Sequence, residues 1–163
     1  MTIPNVPVWL RATLLAFVVG SLAEYWGHRM MHLWLKREKH VQHHRAALRH
    51  GFLKEFLGYV RGSWLLLPLG FLYSLEAGIA FSAAALLYSA FAAYAHELQH
   101  EHPECCFWLL RPVHHLHHAE RMWNHNFGIT SGVWDRVFGT YRPVPYQRAV
   151  RVSWRNLVRI KWY

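Results

Sequence analysis

Along the chain, long apolar runs alternate with short basic stretches rich in histidine. The first apolar run, roughly Val8 to Trp26, contains LLAFVVGSLAEYW, with Arg11 near its start and Glu24 near its end. A second apolar region extends from Gly58 to about Ala95, and between Gly62 and Tyr94 its only charged residue is Glu76. A bilayer span needs about 20 apolar residues. The region therefore holds two spans, joined where Leu75-Glu76-Ala77-Gly78 reads as a turn. The earlier of these is short and carries Pro68, which predicts a kinked or incompletely crossing helix. A single long re-entrant hairpin is the alternative. The pattern predicts an all-α integral membrane bundle of about three transmembrane helices, forming one domain over residues 1–163.

Composition agrees with this alternation: 53% of residues are hydrophobic and 16% aromatic, yet the mean hydropathy is only +0.01. The formal charge of +9 suggests nucleic acid or an anionic membrane surface as partner. The apolar runs favour the membrane and argue against nucleic acid. Arg11 is the one basic residue on the N-terminal side, whereas Arg29, Lys36, Arg37, Lys39, Arg45, Arg49, Lys54 and Arg61 fall between the first two spans. The other basic residues lie from Arg111 onward. Three crossings put both basic segments on one side, cytoplasmic by the positive-inside rule, with the N-terminus opposite. The tail over 143–163 mixes basic residues with Trp, Val, Leu and Ile, and reads as an interfacial segment. The first run lacks a basic leader and an evident cleavage site, so it is expected to be retained. Cys105 and Cys106 are adjacent and imply no disulfide.

The candidate chemistry is imidazole. His28 and His32 (HRMMH) and His96 and His100 (HELQH) are spaced i, i+4. His40, His43 and His44 (HVQHH) and His114, His117 and His118 (HHLHH) are spaced i, i+3, i+4. On a helix each group shares one face. All four clusters fall on the basic side, and each half of the chain offers five imidazoles. A lone interfacial histidine is usually a surface residue, and a metal-storage tract would be a loose low-complexity run. Four clusters at helical spacing on one side fit neither description. Ten imidazoles suit two ions of the Fe, Zn, Cu or Ni type, with open or water-filled positions left over. HHLHH is read as three ligands of one half of a dinuclear site, His115 pointing away. His50, His102 and His115 are read as surface or supporting residues, and His125 in NHNFG as a candidate to line the site. Glu24 lies four residues before His28, where its carboxylate could hold the second ring nitrogen. Glu97 and Glu120 are candidates for the same role, or for pairing with Arg29 or Arg121.

The order HRMMH, HVQHH, HELQH, HHLHH, followed by NHNFGITSGVWDRVFGTY, resembles the fatty acid hydroxylase superfamily, also called the sterol desaturase family. The resemblance covers about residues 28–142. It implies an integral-membrane di-iron oxygenase that uses O₂ and external electrons to hydroxylate or desaturate a lipid C–H bond, in a fatty acyl chain or a sterol. It maps the metal ligands onto His28, His32, His40, His43, His44, His96, His100, His114, His117 and His118. Two Fe are the implied cofactors, and Zn can occupy such sites as purified. The chain lacks the extra N-terminal spans and the fused cytochrome b5 domain of larger members, so the expected electron source is a separate donor of cytochrome b5, ferredoxin or reductase type. His125 stands where relatives commonly carry an aromatic such as Tyr. In WDRVFGT, Asp135 is expected to cap a helix or pair with an Arg, and Trp134 and Phe138 to pack. Carotenoid hydroxylation by the same chemistry is one alternative. A non-catalytic metal-binding or transport protein is the other, and it would need polar groups along the spans, which hold almost none.

Overall fold

The computed structural model describes residues 6–35, 38–46, 49–149 and 152–163. Lys36, Arg37 and Arg151, counted above among the basic segments, lie outside the described residues. The described elements are all helical. Helix α1 (Val8–Met30) runs into a π-helical turn (Met31–Leu35) and is followed by α2 (Glu38–Ala46) and α3 (Phe52–Ser63). A 3₁₀ segment (Leu67–Leu72) leads into α4 (Leu75–Glu101), then a 3₁₀ turn (Pro103–Cys105), α5 (Val113–Ala119), α6 (Val133–Val137) and a last 3₁₀ turn (Trp154–Leu157).

Among the described residues two helices are long and apolar enough to cross a membrane: Val8–Trp34, including most of the π turn, and Leu75–Glu101. The second starts cleanly because Ser74 is its N-cap, the hydroxyl accepting from Ala77 N–H at 3.1 Å, with Glu76 placed favourably in the first turn. Glu76 also accepts the Trp9 N–H at the start of α1. At the far end Tyr88 of α4 bonds Glu24 of α1. The two long helices therefore run parallel, packed through Ala12 and Ala16 against Ala77, Phe81 and Ala84. Small residues let the backbones approach where lipid supplies no hydrophobic drive. Gly20 shows how close they come: a Cβ there would sit 2.6 Å from the Tyr88 ring.

Parallel helices require the chain to return between them. Residues 52–74 make that return as α3, a turn and the 3₁₀ segment, with Pro68 within the 3₁₀ segment. Neither piece reaches the length of a membrane span. The C-terminal tail folds back over the opposite end, where the Lys161 and Trp162 carbonyls accept Phe52 N–H and Leu53 N–H. This caps the first turn of α3, whose N–H groups have no partners inside the helix. Ile160 packs with Leu98, Cys105, Cys106 and Leu109, and both cysteines are free thiols.

Candidate metal centre

The carboxyl ends of α1 and α4, together with α2 and α5, converge at one end of the bundle. Their imidazoles meet as two sets. His28, His32, His40 and His44 form the first, and His43, His100, His114 and His118 the second; within each set the potential ligand atoms lie within 4.8 Å of one another. His117 joins the first, its Nε2 3.1 Å from His32 Nε2. The sets touch where the rings of His44 and His118 stack at 3.9 Å. His96 stands beside the second set, its ring 4.5 Å from that of His114, while its Nδ1 faces Glu97 at 3.9 Å and Glu55 at 4.0 Å.

The division does not follow the halves of the sequence. His43 comes from the first half and joins imidazoles of the second; His117 does the reverse. HHLHH accordingly splits between the sets instead of supplying three groups to one of them. Helical phase is the reason: neighbouring residues on a helix point about 100° apart. His43 and His44, and likewise His117 and His118, diverge to opposite sides.

The nitrogen chemistry of the first set suits a cation. His28 Nδ1 donates to the Phe127 carbonyl at 2.7 Å, and His117 Nδ1 to the His125 carbonyl at 2.6 Å. A neutral imidazole protonated at Nδ1 presents a bare lone pair at Nε2. Both bare nitrogens point at His32 Nε2, at 3.1 Å each, and His40 Nε2 is 2.8 Å from the same atom. His32 Nε2 carries at most one hydrogen, so converging lone pairs are left facing each other, which a metal ion would resolve. In the second set the His118 Nε2 is buried without a hydrogen-bond partner. Burial and neighbouring imidazoles push His40 down to about 3 and His44 to about 2, and burial pushes His117 down to about 4. All three are neutral at pH 7, the form that binds metal.

Support for these rings comes chiefly from the loop 126–130 (NFGIT). Asp135, fully buried, accepts Phe127 N–H and Gly128 N–H at 2.8 Å each and the Thr140 hydroxyl at 2.8 Å. Tyr25 bonds Thr140 in turn at 2.9 Å, and Arg29 donates to the Tyr25 oxygen at 3.0 Å. Glu24 accepts Ile129 N–H and Thr130 N–H at 2.8 and 3.0 Å. Gln99 donates to the Ile129 carbonyl at 2.7 Å and accepts His114 N–H at 2.9 Å.

Several expectations change accordingly. Glu24 does not reach His28, because the Phe127 carbonyl holds that nitrogen; the carboxylate instead holds the loop that carries the carbonyl. Asp135 binds backbone N–H groups of that loop in place of a helix cap or an Arg. Glu120 is exposed just past the end of α5 and belongs to neither set. His125 supports His117 through its backbone carbonyl, while its side chain lines a surface concavity. Glu97 is fully buried and accepts Gly51 N–H at 3.0 Å, its distance to His96 exceeding a hydrogen bond. His50 stacks 6.1 Å from His43, His102 faces Glu104 at 3.3 Å, and the His115 ring lies beside Tyr146. Gln99, Tyr88 and the carbonyls of Phe127 and His125 went unread in the sequence. The apolar neighbourhood of NFG and the lone Gln amid HELQH were the available signals.

Below the imidazoles a cavity of about 580 Å³ opens between α1, α3 and α4, lined by Ala16, Gly20, Gly27, Gly58, Gly62, Phe81 and Ala85 and reaching His28, His96 and His114. A Cβ added at Gly27, Gly58 or Gly62 would meet nothing within 4 Å. These glycines border open space.

Neither a curated protein nor a solved structure matches the chain. The family model described as fatty acid hydroxylase matches residues 13–140, a stretch that holds both imidazole sets, the NFG loop and Asp135. Together with two helices able to cross a membrane, that match over most of the sequence shows that the chain belongs to the fatty acid hydroxylase family.

Proposed function

We propose that the protein is a membrane-bound di-iron oxygenase that hydroxylates or desaturates a C–H bond of a lipid. One observation carries this reading: two convergent imidazole sets with bare, buried nitrogens form the roof of a cavity whose walls are mainly apolar, with Glu24, Lys54, Glu55, Tyr59 and Tyr88 among them. The ligands on this reading are His28, His32, His40, His44 and His117 for one ion, and His43, His96, His100, His114 and His118 for the other. Iron held there would supply O₂-dependent C–H chemistry, drawing electrons from a separate donor. The chain's own residues do the rest. The Phe127 and His125 carbonyls hold the protons of His28 and His117 on Nδ1, which keeps each Nε2 directed inward. His96 Nδ1 has no such bond; Glu97 and Glu55 face it at 3.9 and 4.0 Å. The cavity would bury an extended lipid segment in a dry channel and present one carbon to the roof.

The return segment is proposed as a third crossing. Twelve residues of α3 rise about 18 Å. Six of 3₁₀ helix add about 12 Å, for a total near the 30 Å of hydrocarbon. The basic, histidine-bearing end is then cytoplasmic and the N-terminus opposite.

Elemental analysis of detergent-purified protein should give about two metals per chain, falling sharply in His118→Ala. The iron-loaded protein supplied with dithionite should consume O₂ only when an acyl lipid or sterol is present. Wild-type protein that holds no metal after iron reconstitution would refute the proposal.

A further inference from the structure

On the histidine-bearing end, beside the first imidazole set, lies a concavity of about 320 Å³ lined by residues 120–125 with Arg142 and Val144. Trp123 is 39% exposed in it, yet its ring centroid is 4.6 Å from that of His32 and 5.7 Å from that of His44. The same wall carries His125, whose carbonyl holds His117 Nδ1 at 2.6 Å. Surface and first set are thus joined twice, once through an indole and once through a backbone hydrogen bond.

The rim is basic. Arg121 follows the last turn of α5 with φ 51, a left-handed conformation that helix ends ordinarily give to glycine. Met122 N–H, bonded to the His117 carbonyl at 2.8 Å, fixes it there. An arginine kept on a glycine-favouring position puts its exposed guanidinium on this rim, with Arg142 also lining the concavity. From residue 111 to the C-terminus the chain has nine Lys and Arg against two acids, a balance of 9 − 2 = +7; of the acids, Asp135 is buried and Glu120 lies on this rim. Such a field steers acidic proteins.

We infer that this concavity is the docking site of an acidic one-electron carrier protein, with Trp123 as its contact to the first imidazole set. The inference rests on the oxygenase reading. With iron held in that set, each docked reduced carrier would give it one electron, ferric iron becoming ferrous as the carrier is oxidised. Two carriers in turn supply the two electrons that the reaction needs.

The test uses iron-loaded protein in detergent, with an acidic [2Fe–2S] ferredoxin and soluble cytochrome b5 as probes. Ferredoxin affinity at low salt should fall about tenfold or more in Arg121→Glu/Arg142→Glu and hold in Arg155→Glu, an exposed control that does not line the concavity. Trp123→Leu is assayed for iron content, and its reduction by dithionite and by saturating ferredoxin is measured separately, so that weaker binding is not read as slower transfer. It should oxidise reduced ferredoxin about tenfold more slowly, with partial recovery in Trp123→Phe. Wild-type ferredoxin oxidation by Trp123→Leu would overturn the inference. So would equal affinities for the two charge variants, or a loss confined to anionic phosphatidylglycerol nanodiscs, which would mark the rim as a lipid contact. Protein that oxidises lipid with dithionite yet ignores both carriers refutes the docking site alone, whereas protein that binds no iron refutes the oxygenase reading.

Discussion

Asp135→Asn is a sharp test of how the first imidazole set is held. The aspartate takes two backbone N–H groups and one hydroxyl, each at 2.8 Å and all buried. Asparagine is nearly isosteric but replaces one carboxylate oxygen by an NH₂ group. One of the two backbone donors, Phe127 N–H or Gly128 N–H, must then face another donor. Leaving a buried N–H unsatisfied costs about 1–3 kcal/mol, and loss of charge assistance on the other two contacts costs about 1 kcal/mol each. The total is about 3–5 kcal/mol. For a chain of this size that lowers the melting temperature by roughly 10 °C. The effect then reaches the metal: the Phe127 peptide is held by Asp135 at its own N–H, and its carbonyl holds His28 Nδ1 at 2.7 Å. Loosening such a support typically lowers metal affinity about 10- to 100-fold. The assay pairs thermal unfolding in detergent with a competitive chelator titration. Thr140→Val removes the hydroxyl's bonds to Asp135 and Tyr25 but leaves both backbone N–H bonds to Asp135 in place, and should cost about 1–2 kcal/mol with a smaller loss of affinity. An Asp135→Asn protein with wild-type melting and wild-type affinity would refute the proposed chain of support from Asp135 to His28.

The remaining expectations follow from the same geometry. His117→Ala should weaken the ion shared with His28, His32, His40 and His44, and His43→Ala the ion shared with His100, His114 and His118; metal stoichiometry combined with iron spectroscopy on the two variants tests this, and identical spectra would contradict the division. Gly58→Phe/Gly62→Phe places rings in open space, so metal content and melting should hold while lipid-dependent O₂ uptake falls; unchanged uptake would remove the cavity from the substrate path. Metal-free protein should have constant stability above about pH 7 and lose it as pH falls from 6.5 toward about 4. Over that range unfolded imidazoles take up protons that folded His40, His44 and His117 refuse. A denaturant midpoint that does not move between pH 7.5 and 5 would contradict it.

The periodicities read from the sequence reached the helices and the histidines, since both are carried by side-chain identity at helical spacing. LLAFVVGSLAEYW became part of α1 and the Ala-rich run became α4, with Leu75-Glu76 at the start of α4 and Ser74 as its cap. The weak second span was legible as weak: Pro68 sits within a 3₁₀ segment and α3 stops at Ser63. Hidden were the groups that orient the imidazoles, because Phe127 and His125 act through backbone carbonyls, which every residue has. Glu24 was recognised as a supporting residue, but its partners at Ile129 and Thr130 are 105 and 106 positions away. A four-residue spacing to His28 suggested a local contact that the loop from the other end of the chain had already taken.

The crossed division of the histidines has a consequence for assembly. Two HH pairs straddle the two sets, His43 and His44 on α2, His117 and His118 on α5, so both short helices lie between the proposed ions. Neither half of the sequence can complete a site alone: the first set lacks His117 until α5 docks, and the second lacks His43 until α2 does. Helices of nine and seven residues are too short to persist by themselves. Their order must come from tertiary contact, and metal binding that closes both sets at once would contribute directly to folding. A chelator should therefore loosen α2 and α5 together, seen as matched gains in hydrogen exchange over 38–46 and 113–119, while α4 stays protected. Loosening of one without the other would show that the two sets assemble independently.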